Sequence, residues 1–191
     1  MRYHAPVLTT RSAAESHLYM DLHSCPACGC PRFERAHELV AVDGALVSRY
    51  RGPCADCGAE RSFELALADE AEPRADDAVV YGGASPSTII GPGQFLAVAD
   101  RHASAAPMPE PGMDEAARRR GRAAMQVAVG TLREVLKFVP PGASAVPAAA
   151  FSSDAGRRLH AAEPGRFGRA RLEAVLETYR ELLRGYGPGV S

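Results

Sequence analysis

The residues best suited to chemistry in this chain are four cysteines arranged as two short pairs. Residues 25–29 read Cys-Pro-Ala-Cys-Gly and residues 54–58 read Cys-Ala-Asp-Cys-Gly. Two residues between the cysteines let both sulfurs of a pair point at one centre, and the glycine permits a tight turn behind them. Four thiolates delivered in this way can close a tetrahedral shell around a soft divalent ion. The predicted metal ligands are Cys25, Cys28, Cys54 and Cys57.

A shell of four thiolates leaves no position for water on a tetrahedral ion, so the predicted site is structural rather than catalytic. The fifth cysteine, Cys30, follows the first pair closely and is an alternative ligand to Cys28. Matching Gly29 with Gly58 favours Cys28. Cys30 is then either a small semi-buried side chain or a redox-sensing thiol. His23 precedes the first pair and is either a further ligand or a surface residue.

The segment between the cysteine pairs predicts a β-hairpin. Residues 32–42 and 45–51 have strand character, and Asp43-Gly44 between them is a strong signal for a two-residue turn. Such a turn fixes the register of the two strands. The predicted cross-strand pairs are Val42–Ala45, Val40–Val47 and Glu38–Arg49 on one face, and Ala41–Leu46, Leu39–Ser48 and His37–Tyr50 on the other.

Further elements flank this hairpin. Residues 61–67 alternate apolar and polar side chains, which predicts a third strand. A capping box formed by Ser12 and Glu15 predicts a short helix to about residue 20, and residues 1–9 are expected to be irregular.

Cysteine pair, hairpin, cysteine pair and third strand together resemble the zinc-ribbon superfamily over residues 22–68. The resemblance implies a three-stranded antiparallel zinc ribbon, with one structural zinc ion bound by the four cysteines. The cysteine pairs also resemble those of rubredoxins, which hold iron in a small aromatic-rich core. Only Phe33, Tyr50 and Phe63 are available nearby for such a core, and we therefore favour zinc.

The remainder of the chain predicts helices, which makes the fold class α+β. We expect a zinc-ribbon domain at 10–68, a linker at 69–112 with a short strand at 79–81 and a helix at 94–104, and a helical domain at 113–187. Apolar stripes at helical spacing predict long helices at 114–138 and 168–186, paired antiparallel, with a short helix at 153–162 between them.

Composition gives weak support to nucleic-acid binding. The net charge of the 191 residues is −1, and residues 25–68 carry five Arg against six Asp and Glu. The basic candidate is Arg118–Arg120 with Arg122, at the start of a long helix. Phosphate-binding, dinucleotide-binding and nucleophile-elbow motifs are not found in the sequence, so we expect no enzymatic activity.

The sequence therefore predicts a zinc-stabilised interaction or adaptor protein that binds a protein partner or a second copy. The alternative is a transcription- or nucleic-acid-associated factor that uses the basic helix start. The first residues lack a signal-peptide pattern and no apolar run reaches about eighteen residues, which favours a cytoplasmic location without membrane contact. Arginine outnumbers lysine throughout, with Lys137 as the only lysine. The whole chain resembles zinc-ribbon proteins of GC-rich bacteria, a resemblance that implies no particular activity.

Overall fold

The computed structural model describes residues 7–42, 45–68 and 78–187. These residues form a mixed α+β fold that divides into two compact units. The sheet unit contains the described residues up to 68 together with 81–83 and 87–89. The helical unit contains 78–80, 84–86 and 90–187. The predicted Asp43-Gly44 turn and the linker segment 69–77 lie outside the described residues.

The sheet has four strands in the order β1-β4-β3-β2. Their bounds are β1 Leu8–Thr10, β2 Ala36–Val42, β3 Ala45–Pro53 and β4 Glu60–Leu67. The central pairings are antiparallel, but β1 lies parallel to β4. The prediction of a three-stranded antiparallel ribbon was therefore wrong. The irregular segment predicted at 1–9 is contradicted at residues 8 and 9, which belong to β1, whereas residues 1–6 lie outside the described residues. The connection between β1 and β4 is long enough for the crossover that a parallel pairing needs.

The register of the hairpin is the predicted one. All six expected pairs between β2 and β3 are present, from Val42 opposite Ala45 to His37 opposite Tyr50. Because β3 pairs with β4 without interruption, side chains on all three strands separate onto two faces.

The two faces of the sheet differ in chemistry. On one face an ion-pair ladder crosses three strands, with Arg49 bound to Glu64 at 2.8 Å and to Glu38 at 3.3 Å. The opposite face carries apolar side chains and packs against α1, which comprises Ala13–Leu22. The buried residues of this core are Met20, Phe33, Tyr50 and Leu65.

The first turn of α1 is held by a buried polar cluster. Ser12 caps the helix, and its hydroxyl accepts a hydrogen bond from the Glu15 backbone N–H at 3.0 Å. The expected capping box is only half formed, because the Glu15 carboxylate accepts from the backbone and guanidinium of Arg11, at 2.7 and 2.6 Å. The Thr10 hydroxyl donates to the Ala66 carbonyl, which ties this turn to β4.

The helical unit contains the three helices predicted for residues 113–187 and also the helix at 94–104 that was predicted within the linker, all with bounds within two residues of those expected. They are α2 Pro92–Ala105, α3 Glu115–Lys137, α4 Asp154–Ala162 and α5 Arg169–Gly185, with short 3-10 turns at Ala148–Ala150 and Pro164–Phe167. Residues 79–81, predicted as a short strand, form none. No helix among the described residues has the length and apolar character needed to cross a bilayer.

Helix α3 is the centre of this unit, since it packs against both α2 and α5. At the start of α5, the Arg169 guanidinium donates to the carbonyls of Val139 and Pro140, just beyond the end of α3. After the end of α5, Tyr186 lies against Gly121 in the first half of α3. The two long helices therefore run in opposite directions.

The buried ring of Phe95 in α2 provides a test of this core. Phe95 has no exposed surface, so Phe95→Ala removes a large apolar side chain and leaves a cavity. We expect the free energy of unfolding of the helical unit to fall by about 3–5 kcal/mol. The control is Met108→Ala, at a side chain that is 63% exposed, where a change within about 0.5 kcal/mol is expected. Urea denaturation followed by circular dichroism measures the free energy of unfolding of both variants. Equal decreases in the two variants would contradict the packing described.

Candidate metal centre

The four cysteines of the two pairs lie together in the sheet unit. Their sulfur atoms are all within 4.8 Å of one another, although the pairs are far apart in the sequence. In each pair the first cysteine is buried and the second is exposed. One side of the cluster therefore faces the protein and the other faces solvent.

The two cysteine pairs form the same local structure. In the first, the Gly29 N–H donates to the Cys25 carbonyl, and the Cys25 N–H donates to the Cys30 carbonyl, both at 2.8 Å. In the second, the Gly58 N–H donates to Cys54 and the Cys54 N–H donates to Ala59, both at 2.9 Å.

Both turns need a glycine after the second cysteine, because the backbone there is left-handed. The φ angle is 78° at Gly29 and 71° at Gly58, a region that residues with a side chain adopt at a cost. The two turns have the same hydrogen bonds at corresponding residues, so Cys30 in the first turn corresponds to Ala59 in the second. Cys30 therefore lies outside the four-sulfur cluster. Its thiol donates to the Arg32 carbonyl at 3.6 Å.

The sulfur positions fit a tetrahedral ion. Metal–sulfur bonds of about 2.3 Å place ligand sulfurs about 3.8 Å apart at the corners of a tetrahedron. The contacts between pairs are 3.7 Å from Cys25 to Cys57 and 3.5 Å from Cys28 to Cys54. All five cysteines are free rather than disulfide-bonded. The donor set and its geometry therefore suit a single bound metal ion.

The cluster also has the electrostatics of a cation site. The backbone N–H groups of Cys57 and Asp56 point at the Cys54 sulfur and lower the pKa of its thiol to about 6. At Cys28 the backbone N–H of Cys30 acts in the same direction, but the neighbouring sulfurs and desolvation outweigh it and raise the pKa to about 12. A bound cation would stabilise the thiolate form of each cysteine in the cluster.

A buried arginine fixes the first cysteine pair from both sides. The guanidinium of Arg61, at the start of β4, donates to the carbonyl of His23 before the pair and to that of Pro31 after it, the latter at 3.0 Å. Its charge lies 4.5 Å from the Phe33 ring centroid and 5.2 Å from that of Phe63. Arg61 therefore connects β4, the aromatic core and the first cysteine turn.

This role of Arg61 was not predicted from the sequence, where the residue counted only among the charges of residues 25–68. One signal was available, because Arg61 and Phe63 are two residues apart in a strand and share a face. The two carbonyl partners, those of His23 and Pro31, could not be inferred from the sequence. They depend on how the fold brings the first cysteine turn next to β4.

The histidines near the centre have other contacts. The His23 ring nitrogen Nδ1 lies 2.7 Å from the Tyr19 carbonyl oxygen, and the His23 ring lies tilted against the Tyr19 ring, with centroids 4.0 Å apart. His37 stacks on Tyr50 at 4.8 Å, as their predicted pairing requires. Among the described residues, the group that can hold a metal contains the four cysteines and no histidine.

The basic start of α3 is partly neutralised by neighbouring groups. Arg118 and Arg119 both contact Glu115, one turn earlier in the same helix. Arg122 donates to the Gly187 carbonyl after α5. These three arginines thus already contact acceptors within the helical unit.

Comparisons of this chain with protein-family models, curated proteins and solved structures gave no match.

The matched turns predict opposite results for two cysteines. Cys57→Ser removes a ligand, whereas Cys30→Ser changes a side chain outside the cluster. We expect one metal ion per chain in wild type and Cys30→Ser. Metal affinity typically falls roughly 10–100-fold when a residue that supports a ligand is changed. Cys57→Ser removes a ligand itself, so its metal affinity should fall by more than this. Elemental analysis and competition with a chromophoric chelator measure both quantities. Equal loss in the two variants would contradict the assignment of ligands.

The position of Arg61 predicts a second effect on metal affinity. Arg61→Met keeps the apolar stem but removes the two hydrogen bonds that hold the first pair, and we expect affinity to fall about 10–100-fold. Arg61→Lys keeps the charge but cannot bridge both carbonyls, so it should restore little. The control is Arg35→Met, because Arg35 also lies over Phe33, at 5.3 Å, but pairs with Asp21 instead of the turn. The same affinity in Arg61→Met and Arg35→Met would overturn this role.

Proposed function

We propose that this protein is a non-enzymatic interaction protein in which one structural zinc ion holds the sheet unit as a rigid platform for another polypeptide. The observation that carries the proposal is an exposed apolar surface on that unit. Four leucines, one on each strand, are 39–61% exposed, and we call them the leucine face. They are Leu8, Leu39, Leu46 and Leu67.

The strand register places all four leucines on one side of the sheet. Leu8 pairs with Leu65, Leu65 with Ser48, and Ser48 with Leu39. Continuing the β3–β4 register by one residue sets Leu46 opposite Leu67. The same side of the sheet packs against α1 near Leu65 and Tyr50. The leucine face is therefore the part of this apolar side that α1 does not cover. Grouped exposed apolar side chains of this kind are typical of binding surfaces.

The choice of zinc and of a structural role rests on the donor set. Four thiolates at tetrahedral separations suit zinc, and a closed sulfur shell leaves no position at which water or substrate binds the ion. Iron in the same shell is the competing assignment, and elemental analysis of the purified protein separates the two metals. The nucleic-acid alternative has less support, because Arg118, Arg119 and Arg122 already contact acceptors within the protein.

The experiment is capture of partner chains from extracts of the native host on immobilised, metal-loaded protein. The test variant is Leu46→Lys/Leu67→Lys, which changes two exposed side chains and should leave the fold intact. A second variant, Cys54→Ser/Cys57→Ser, removes half of the metal shell. We expect at least one chain, identified by mass spectrometry, to bind wild type and to be lost from both variants. The interaction should then be reproduced with that chain in purified form.

Two results would contradict the proposal. Recovery of the same bound chains with wild type and with the leucine variant would remove the leucine face as the binding surface. Salt-dependent binding of purified protein to nucleic acid, unchanged in the leucine variant, would favour the alternative function instead.

A further inference from the structure

We propose that two copies of this chain pair through the outer edges of their β2 strands, antiparallel, to form one continuous eight-stranded sheet. The inference rests on the proposed function, since it adds a second copy of the same chain to the polypeptides that the sheet unit binds. The inference goes beyond the proposed function because it assigns this contact to the outer edge of β2, with a defined centre.

The outer edge of β2 is available for pairing. β2 ends the sheet, with β3 on one side and no other strand beside it in the part of the chain that the structure describes. It is seven residues long and five of those residues are exposed. The opposite edge is formed by β1, which has three residues. An edge strand presents a row of backbone N–H and C=O groups that can pair with another strand, and β2 presents the longer row.

β2 has only one of the features that normally keep an edge strand from pairing, which is a single charged side chain. Such edges commonly contain proline, lysine or a bulge. Residues 36–42 read Ala-His-Glu-Leu-Val-Ala-Val and contain neither proline nor lysine, and their register with β3 has no bulge. The single acidic side chain, Glu38, is drawn inward along the sheet by Arg49.

The sequence of β2 is compatible with pairing to itself. In an antiparallel pair centred on Leu39, this residue faces Leu39 of the second copy, and Glu38 faces Val40. No two like charges then stand opposite each other, and apolar side chains meet at the twofold axis. Because opposed residues share a face, the leucine face of one copy becomes continuous with that of the other, with the exposed Leu39 and Leu46 of both copies nearest the axis.

Sedimentation velocity of the metal-loaded full-length protein, over a wide concentration range, tests the pairing. We expect a reversible dimer for wild type. Leu39→Lys and Leu39→Asp each place like charges across the axis and should weaken the dimer about tenfold or more. An equimolar mixture of the two variants places opposite charges there and should restore a heterodimer. Metal content and circular dichroism confirm that each variant is folded.

Leu67→Lys is the matched control. Leu67 is an exposed leucine on the same face, 47% exposed against 55% for Leu39, but it lies two strands away from the β2 edge. Pairing at the edge predicts that Leu67→Lys keeps the dimer. A wild-type protein that stays monomeric overturns the inference while leaving capture of a different chain, and so the proposed function, intact. A dimer lost in Leu67→Lys and not restored by the mixed Leu39 variants also overturns it.

Discussion

The convergence of four sulfur atoms from two distant turns is the constraint on which the sheet unit depends. The turns are formed by residues 25–30 and 54–59, and each is shaped by its own hydrogen bonds and a left-handed glycine. What brings them together is the hairpin between them, whose ends bring Phe33 and Cys54 into a β-bridge. The strands therefore position the ligands, and a bound ion would in turn close the chain on itself. This reciprocity links metal binding to folding of the sheet unit.

The local parts of this arrangement could be predicted from the sequence. A two-residue turn, alternating side chains and two matched cysteine steps are short-range signals, and they were sufficient for the β2–β3 register and the four clustered cysteines. The separation of Cys30 from the cluster followed from the same local match. In the helical unit, apolar periodicity and Pro/Gly interruptions gave helix bounds within two residues. These features are set by neighbours in the chain, which is why residue patterns suffice.

The features that the sequence did not indicate all depend on contacts across the fold. β1 is three residues long, too short for a periodic signal, and it exists because β4 offers an edge beside it. Glu15 turns from the expected capping box towards Arg11, since a buried carboxylate is better stabilised by a guanidinium than by one backbone N–H. The Arg61 guanidinium is held by two backbone carbonyls and two aromatic rings. Such roles emerge only when distant segments meet.

The small size of the sheet core explains why its apolar surface remains exposed. The described core cluster between α1 and the sheet is small, with Met20, Phe33, Tyr50 and Leu65 as its buried members, and units below about 80 residues rarely gain more than about 3–5 kcal/mol from packing alone. A metal ion held by the four cysteines would supply stability that this core lacks. The outer parts of β2, β3 and β4 then need not be covered by further elements for the unit to fold. The exposed leucines on these strands, and the outer edge of β2, are the surfaces that we propose for binding another polypeptide.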